Sequence, residues 1–179
     1  MYIELNPVPE NSPISLFVLE PRHVTEEYVS WLNAPEINKY LESRFILHTV
    51  ESTRNFVATK LALSDTLFLG ITSHLLGKHV GNIKLGPIDP HHRIGDIGIL
   101  IGDKDAWGKG TATLAINMIS EIAKNQLNLR RLTAGCYASN MGSQRAFEKA
   151  GFLVEGIRPA QLILDGKPED LVLMGRAFQ

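Results

Sequence analysis

The chain has 179 residues, of which 44% are hydrophobic and 21% charged, and its formal net charge is −1. That length can bury one proper core, and the charge balance excludes a basic footprint for nucleic acid. No window of about 20 apolar residues occurs, so no membrane span is expected.

In chain order, residues 1–13 read as a loose lead-in, with acids and prolines but neither a basic start nor an apolar stretch, so no signal peptide is expected there. Residues 14–19 form a short apolar run of strand length. Helical signals follow at 25–32, and Pro35 suits the first turn of the next helix. Residues 52–63 read as a third helix with Phe56, Val57, Leu61 and Leu63 as its apolar positions. Three β-rich runs at 66–72, 79–85 and 94–101, separated by Gly, Pro, Asp and His, suggest an antiparallel meander. A long helix is expected over 110–126, because Ala115, Met118, Ile119 and Ile122 recur on one face. A strand at 130–137 precedes a short helix, capped by Asn140 and closed by Gly151, whose apolar face is Ala146, Phe147 and Ala150. Strands near 152–158 and 170–177, with a turn at Asp165-Gly166, finish the chain. The single cysteine, Cys136, cannot form an intrachain disulfide, which points to a reducing cytoplasmic setting.

The most informative segment runs from Ile94 to Thr113, where a strand passes through Trp107-Gly108-Lys109-Gly110 into a helix. A helix start leaves backbone N–H groups unpaired and favours anions, and glycines let a phosphate approach. A plain glycine turn is the competing reading. Two phosphate motifs fail on the letters. For a nucleoside-triphosphatase loop Gly102 and Gly108 are one residue too far apart, and Gly110 follows Lys109 where Ser or Thr is required. For a dinucleotide fingerprint the third small position falls on Thr113.

From Ile94 to Phe152 the sequence resembles the GNAT superfamily of N-acetyltransferases, in the branch containing the ribosomal-protein N-terminal acetyltransferases. Gly110-Thr111-Ala112 supplies the Gly-x-Ala of that family's pyrophosphate loop, with Trp107 where Gln or Arg usually stands. A second block, Asn140 to Phe152, matches the branch's Asn-x-x-Ser and Lys-x-Gly-Phe signature through Asn140, Ser143, Lys149, Gly151 and Phe152. The resemblance implies an α/β (α+β) fold: one domain over 1–179 with a mixed, mostly antiparallel sheet of six to seven strands flanked by helices and splayed centrally. Residues 1–63 would give the first strand and the acceptor-side helices, and 64–179 the acetyl-CoA-binding core. A homodimer stays open, and no metal is called for.

The resemblance further implies direct acetyl transfer from acetyl-CoA to a primary amine. Gly108, Lys109, Gly110, Thr111, Ala112 and Thr113 would hold the pyrophosphate, and Leu100 and Gly102 the pantetheine arm. Asn140 would also touch that arm, besides capping its helix. Ser143 shares the inward face of Ala146 and Phe147 and would donate to the departing sulfur. On the strand, Ile97, Ile99 and Ile101 face one side, while Asp96, Gly98, Leu100 and Gly102 face the other, where two glycines leave room. Asp96 is the first candidate base, the alternative being a strand-end carboxylate held by a neighbouring N–H or Arg93. His91 and His92 are further candidates for proton transfer, or solvated loop residues. Cys136, without an adjacent His, reads as packed and not as a nucleophile.

Three functional readings stay open, two of them differing in the acceptor. The segment 159–164 lacks the acid that the protein-acetylating branch carries on its strand after Gly-Phe-x-x-Glu-Gly, which disfavours a protein N-terminus. The run Gly81 to Ile88, followed by His91 and His92, resembles relatives that modify amino groups of nucleotide-linked sugars, which favours a small-molecule amine. A non-catalytic acetyl-CoA-binding module is the third.

Overall fold

The computed structural model describes residues 3, 5 and 12–178, so most of the expected lead-in lies outside the described residues. In chain order it contains β1 (Ile14–Val18), α1 (Glu26–Asn33), α2 (Pro35–Asn38), α3 (Val50–Ala62), β2 (Leu67–Ser73), β3 (Lys78–Asp89), β4 (Ile94–Ile101), α4 (Thr111–Asn125), β5 (Arg131–Tyr137), α5 (Met141–Lys149), β6 (Leu153–Leu164) and β7 (Lys167–Ala177). The strands form one seven-stranded sheet in the order β1-β2-β3-β4-β5-β7-β6. Every neighbouring pair is antiparallel except β4 and β5, which are parallel because α4 carries the chain back between them.

That parallel pair is short. Ile94, Gly95 and Asp96 pair with Arg131, Leu132 and Thr133, and beyond them the two strands part. This is the expected central splay. Downstream, Ile97–Ile101 and Ala134–Tyr137 keep their outer partners, β3 and β7, so the gap opens between two intact half-sheets.

Side-chain alternation builds a core on each face. On one face Leu69, Ile71, Ile83, Leu85, Ile97, Leu132, Ala134 and Cys136 pack beneath Ile116 and Ile119 of α4 and Phe147 of α5. On the other, Leu19, Tyr28, Trp31, Leu32 and Val57 of the N-terminal segment gather Phe17, Phe68 and Leu100 against them. Glycines on this second face admit aromatic rings. A Cβ at Gly70 would lie 2.1 Å from the Phe17 ring, and one at Gly102 2.1 Å from the Trp31 ring.

Three expectations need correction. Helix α3 starts at Val50, with Thr49 and Ser52 forming a reciprocal cap, and its buried positions are Thr53 and Val57. Phe56, Leu61 and Leu63 are 49%, 47% and 37% exposed, because the buried stripe of α3 is one i, i+4 pair wide. Phe56 instead meets Phe68 edge-on. Strand β6 runs through Pro159, past the expected end near 158, since its outer edge has no ladder for the missing N–H to break and a bulge between Arg158 and Leu162 absorbs the irregularity. Strand β7 begins at Lys167, before the expected start near 170, because the Asp165-Gly166 turn, with both φ angles positive, lets the hairpin zip to its tip. Among the described residues no helix is long and apolar enough to cross a membrane.

The Trp31–Gly102 contact is directly testable. Gly102→Ala forces a methyl group into the indole, so it should destabilise the protein by about 1–3 kcal/mol in urea unfolding. An unchanged midpoint would show that Trp31 can leave Gly102 without cost.

Candidate active site

The parting of β4 and β5 leaves backbone groups facing a gap. Peptide groups along a strand alternate in direction. On β4 the Gly102 N–H donates to the Val80 carbonyl at 2.9 Å, and the Leu100 carbonyl lies where a side chain on Gly81 would collide with it. The backbone of Leu100 and Gly102 is therefore turned to β3, and Trp31 fills the room expected at Gly102. The backbone of Ile99 faces the gap in their place. The Ile101 carbonyl, also on that side, accepts from the Trp107 indole N–H at 2.8 Å, which ties the glycine turn to the strand end. At Gly98 the expected space is real: the nearest atom to a Cβ added there would be Lys84 Cε at 4.0 Å.

The turn after β4 is open as the sequence suggests. Gly108 and Gly110 have φ of 70° and 78°, in the left-handed region, with nothing within 4 Å of a would-be Cβ. Thr25, Thr49 and Asn140 cap α1, α3 and α5 with their side chains, whereas Gly110 at the start of α4 supplies no cap. The Thr111 hydroxyl does not compensate, because it donates to the Ala106 carbonyl at 3.1 Å. The first-turn N–H groups of Thr111, Ala112 and Thr113 thus lack a side-chain acceptor, and Lys109 stands exposed beside them.

On the α4/α5 face, Asn140 Oδ1 accepts from the Ser143 N–H at 3.2 Å and caps α5. Ser143 Oγ lies 3.4 Å from Cys136 Sγ. Its inward hydroxyl therefore already has one partner, a thiol that burial holds neutral by pushing its pKa up. A neutral buried thiol is no nucleophile, in keeping with the packed reading of Cys136.

On the opposite face, Asp96 occupies the last rung before the strands part. Its Oδ1 accepts from the Thr133 hydroxyl at 2.8 Å, in place of an interaction with Arg93. Burial pushes the Asp96 carboxyl above its ordinary value, against the lowering pull of Thr133 and of the Lys84 charge. Ser143 and Asp96 thus flank one opening from opposite faces of the sheet. His91 and His92 lie outside this arrangement. They sit in the exposed β3–β4 turn at the closed end of the splay, where their N–H groups donate to Asp89 Oδ1 at 2.8 Å.

A third cluster escapes sequence reasoning. Arg44 Nη1 donates to the Leu41 carbonyl and to Tyr137 Oη at 2.8 and 2.9 Å, and Nη2 donates to the Ile163 carbonyl at 2.8 Å. The Tyr137 hydroxyl in turn donates to Glu42. Burial and the Glu42 carboxylate raise the Tyr137 pKa. The cluster straps the segment after α2 across the β5 bank of the opening. Tyr137 lies 93 and 95 residues from Arg44 and Glu42 in sequence, and no local pattern announces the cluster.

Residues 16–153 match a family described as the acetyltransferase (GNAT) domain. A 68-residue stretch, 38% of this chain, is 41% identical to the "Probable N-acetyltransferase YjcK" of Bacillus subtilis (strain 168), and covers 38% of that protein. The chain spans between 38% and 57% of the length of the curated relatives it matches. Among solved structures, the spermidine N-acetyltransferase of Vibrio cholerae, in complex with CoA and spermine, has a TM-score of 0.83 at 20% identity, over 93% of this chain and 96% of that one. The ribosomal L7/L12 alpha-N-protein acetyltransferase RimL, in complex with coenzyme A, gives 0.83 at 18% identity, over 94% and 96%. These two share the fold.

The raised Asp96 carboxyl has a consequence for stability. Its folded value lies above the unfolded one, so its contribution is present at low pH and is lost as pH rises through the folded value. Asp96→Asn should therefore unfold at higher urea than the parent at pH 7, with the gap closing as pH falls toward 3.8. A variant less stable than the parent at pH 7 would contradict this.

Proposed function

Since the chain belongs to the acetyltransferase (GNAT) family, we propose that it transfers an acetyl group from acetyl-CoA to the primary amine of a small metabolite such as an amino-sugar nucleotide. The observation that carries this reading is the opening between β4 and β5, flanked by Ser143 and Asp96 on opposite faces and continued by the uncapped start of α4.

Acetyl-CoA supplies an acyl group activated as a thioester. The chain's residues do the rest. The N–H groups at 110–113, with Lys109, bind pyrophosphate, and the Ile99 backbone pairs with an amide of the pantetheine arm. Asp96, reached directly or through one water, takes the proton that the amine must lose. Its raised pKa suits a base working near neutrality. As the nitrogen–carbon bond forms and the carbon–sulfur bond breaks, the Ser143 hydroxyl donates to the leaving sulfur, and the neutral Cys136 thiol keeps that hydroxyl oriented. Trp31, Leu100 and the Arg44 strap wall the acceptor side. A free, buried thiol at Cys136 supports work in the reducing cytoplasm.

Mass-spectrometric screening of amines with acetyl-CoA tests the activity. Acetyl-CoA bound without turnover on any amine would support the sensing module, and robust acetylation of an N-terminal Ala or Ser peptide alone would move the acceptor to proteins. Two variants test the residue roles. Gly110→Glu places a carboxylate among the N–H donors and should weaken acetyl-CoA binding about tenfold or more in calorimetry. Ser143→Ala should lower kcat roughly 10- to 100-fold while leaving acetyl-CoA affinity within about twofold. Unchanged affinity in folded Gly110→Glu would remove the pyrophosphate from this turn.

A further inference from the structure

Lys84 stands in the middle of β3, opposite Phe68 of β2 and Gly98 of β4, on the face that carries Asp96. It is half-buried, and its ammonium makes no hydrogen bond or ion pair with any described residue. Asp96 feels its charge without contacting it. A half-buried ammonium is costly without a counter-ion, and the middle of a strand is an unusual place for one. Gly98 leaves open the space beside it.

A second observation lies two residues back on the same face. Asn82 is 4% exposed, its Oδ1 accepts from His79 Nε2 at 2.9 Å, and its Nδ2 has no partner. Two donors without acceptors therefore sit on one face of β3. The other charged groups around the opening do not contact them. Arg44 is spent on the Leu41 and Ile163 carbonyls and on Tyr137, Glu42 accepts from Tyr137 and lies 3.6 Å from Arg44 Nη1, and Asp96 accepts from Thr133. The Lys84 ammonium thus has no contacting acceptor among the described residues of this face.

We propose that the acceptor is an amine that also carries an oxyanion, a carboxylate or a phosphate, and that Lys84 receives it. This rests on the acetyl-transfer reading. Asp96 lies diagonally across from Lys84, about 7–8 Å between Cα atoms, so an amine at Asp96 and an oxyanion at the lysine tip lie a few bonds apart. An amino acid or a phosphorylated amino sugar spans that distance. A polyamine brings a second cation to the same place and is repelled.

The test compares the parent, Lys84→Met and Lys84→Arg on matched acceptors, reading CoA release. The pairs are amino acids against their carboxamides, and glucosamine 6-phosphate against glucosamine, with spermidine and an N-terminal Ser peptide alongside. The parent should prefer the oxyanion member by about 10- to 100-fold in kcat/KM. Lys84→Met should lose that preference through KM, while Lys84→Arg retains most of it. Preference within the amino-acid pairs or within the sugar pair distinguishes carboxylate from phosphate. Preference for spermidine, the peptide or the uncharged members would overturn the proposal. So would an equal loss on both members in Lys84→Met, since Lys84 would then act through Asp96 or through packing. If no amine releases CoA although acetyl-CoA binds, the acetyl-transfer reading fails. Thermal unfolding with N-acetylated amino acids and N-acetylglucosamine 6-phosphate then decides separately: protection of the parent but not of Lys84→Met keeps the oxyanion site, and no protection overturns it.

Discussion

Everything at the centre of this molecule follows from a parallel strand pair that stops after Asp96 and Thr133. A strand edge inside a sheet cannot leave its N–H and C=O groups bare without cost, so each group beyond that rung needs another partner. One partner is internal, the Trp107 indole on the Ile101 carbonyl. The Ile99 groups have none from β5, and an extended, amide-bearing arm is the shape proposed to meet them. The interruption thus leaves a slot lined by strand backbone. It also fixes where the proposed base stands. Asp96 is the last paired residue, which gives its carboxyl a rigid floor and a fixed donor in Thr133.

Two separate cores hold the banks apart. On one face α4 and α5 press on both half-sheets through Ile116, Ile119 and Phe147, so the banks share a common roof. On the other face the N-terminal segment touches each bank by a different device. Trp31 lies flat over Gly102 at the end of β4, and Arg44 ties the segment after α2 to Tyr137 of β5 and to Ile163 of β6. Closing the gap would require removing a ring from a glycine and breaking the two hydrogen bonds that the Arg44 guanidinium donates to Tyr137 and Ile163. The opening is therefore a built feature, kept by packing on both sides of the sheet.

Sequence reading reaches the elements whose signals are local. The amphipathic stripe of α4, the Asn140 cap, the Asp165-Gly166 turn and the alternation of Ile97, Ile99 and Ile101 each depend on a few neighbouring residues, and each appears where its pattern puts it. Side-chain alternation does not carry over to the backbone. The Leu100 side chain and the would-be Cβ of Gly102 point to the acceptor side, which suggests that these residues line the slot, yet their peptide groups point to β3, at right angles to that direction. The Trp31–Gly102 contact joins residues 71 apart, and the Arg44–Tyr137 bond joins residues 93 apart. Such contacts are created by the fold and leave no trace in a short window. The extent of β6 is hidden for a related reason, because Pro159 ends a central strand but not an edge strand.

The sheet acts as a partition that sorts charge. Groups that stabilise negative charge, the Ser143 hydroxyl and the bare start of α4, belong to the α4/α5 face and to the end of β4 that leads there. The group proposed to accept a proton, Asp96, belongs to the opposite face. Were both on one face, the Ser143 proton and the carboxylate would pair with each other and neither would be available across the opening. Separation by the thickness of a sheet prevents that. Burial then tunes each side in the direction its task needs. It holds Cys136 as a thiol beside Ser143, and it raises the Asp96 carboxyl above its ordinary value, as the proposed roles require.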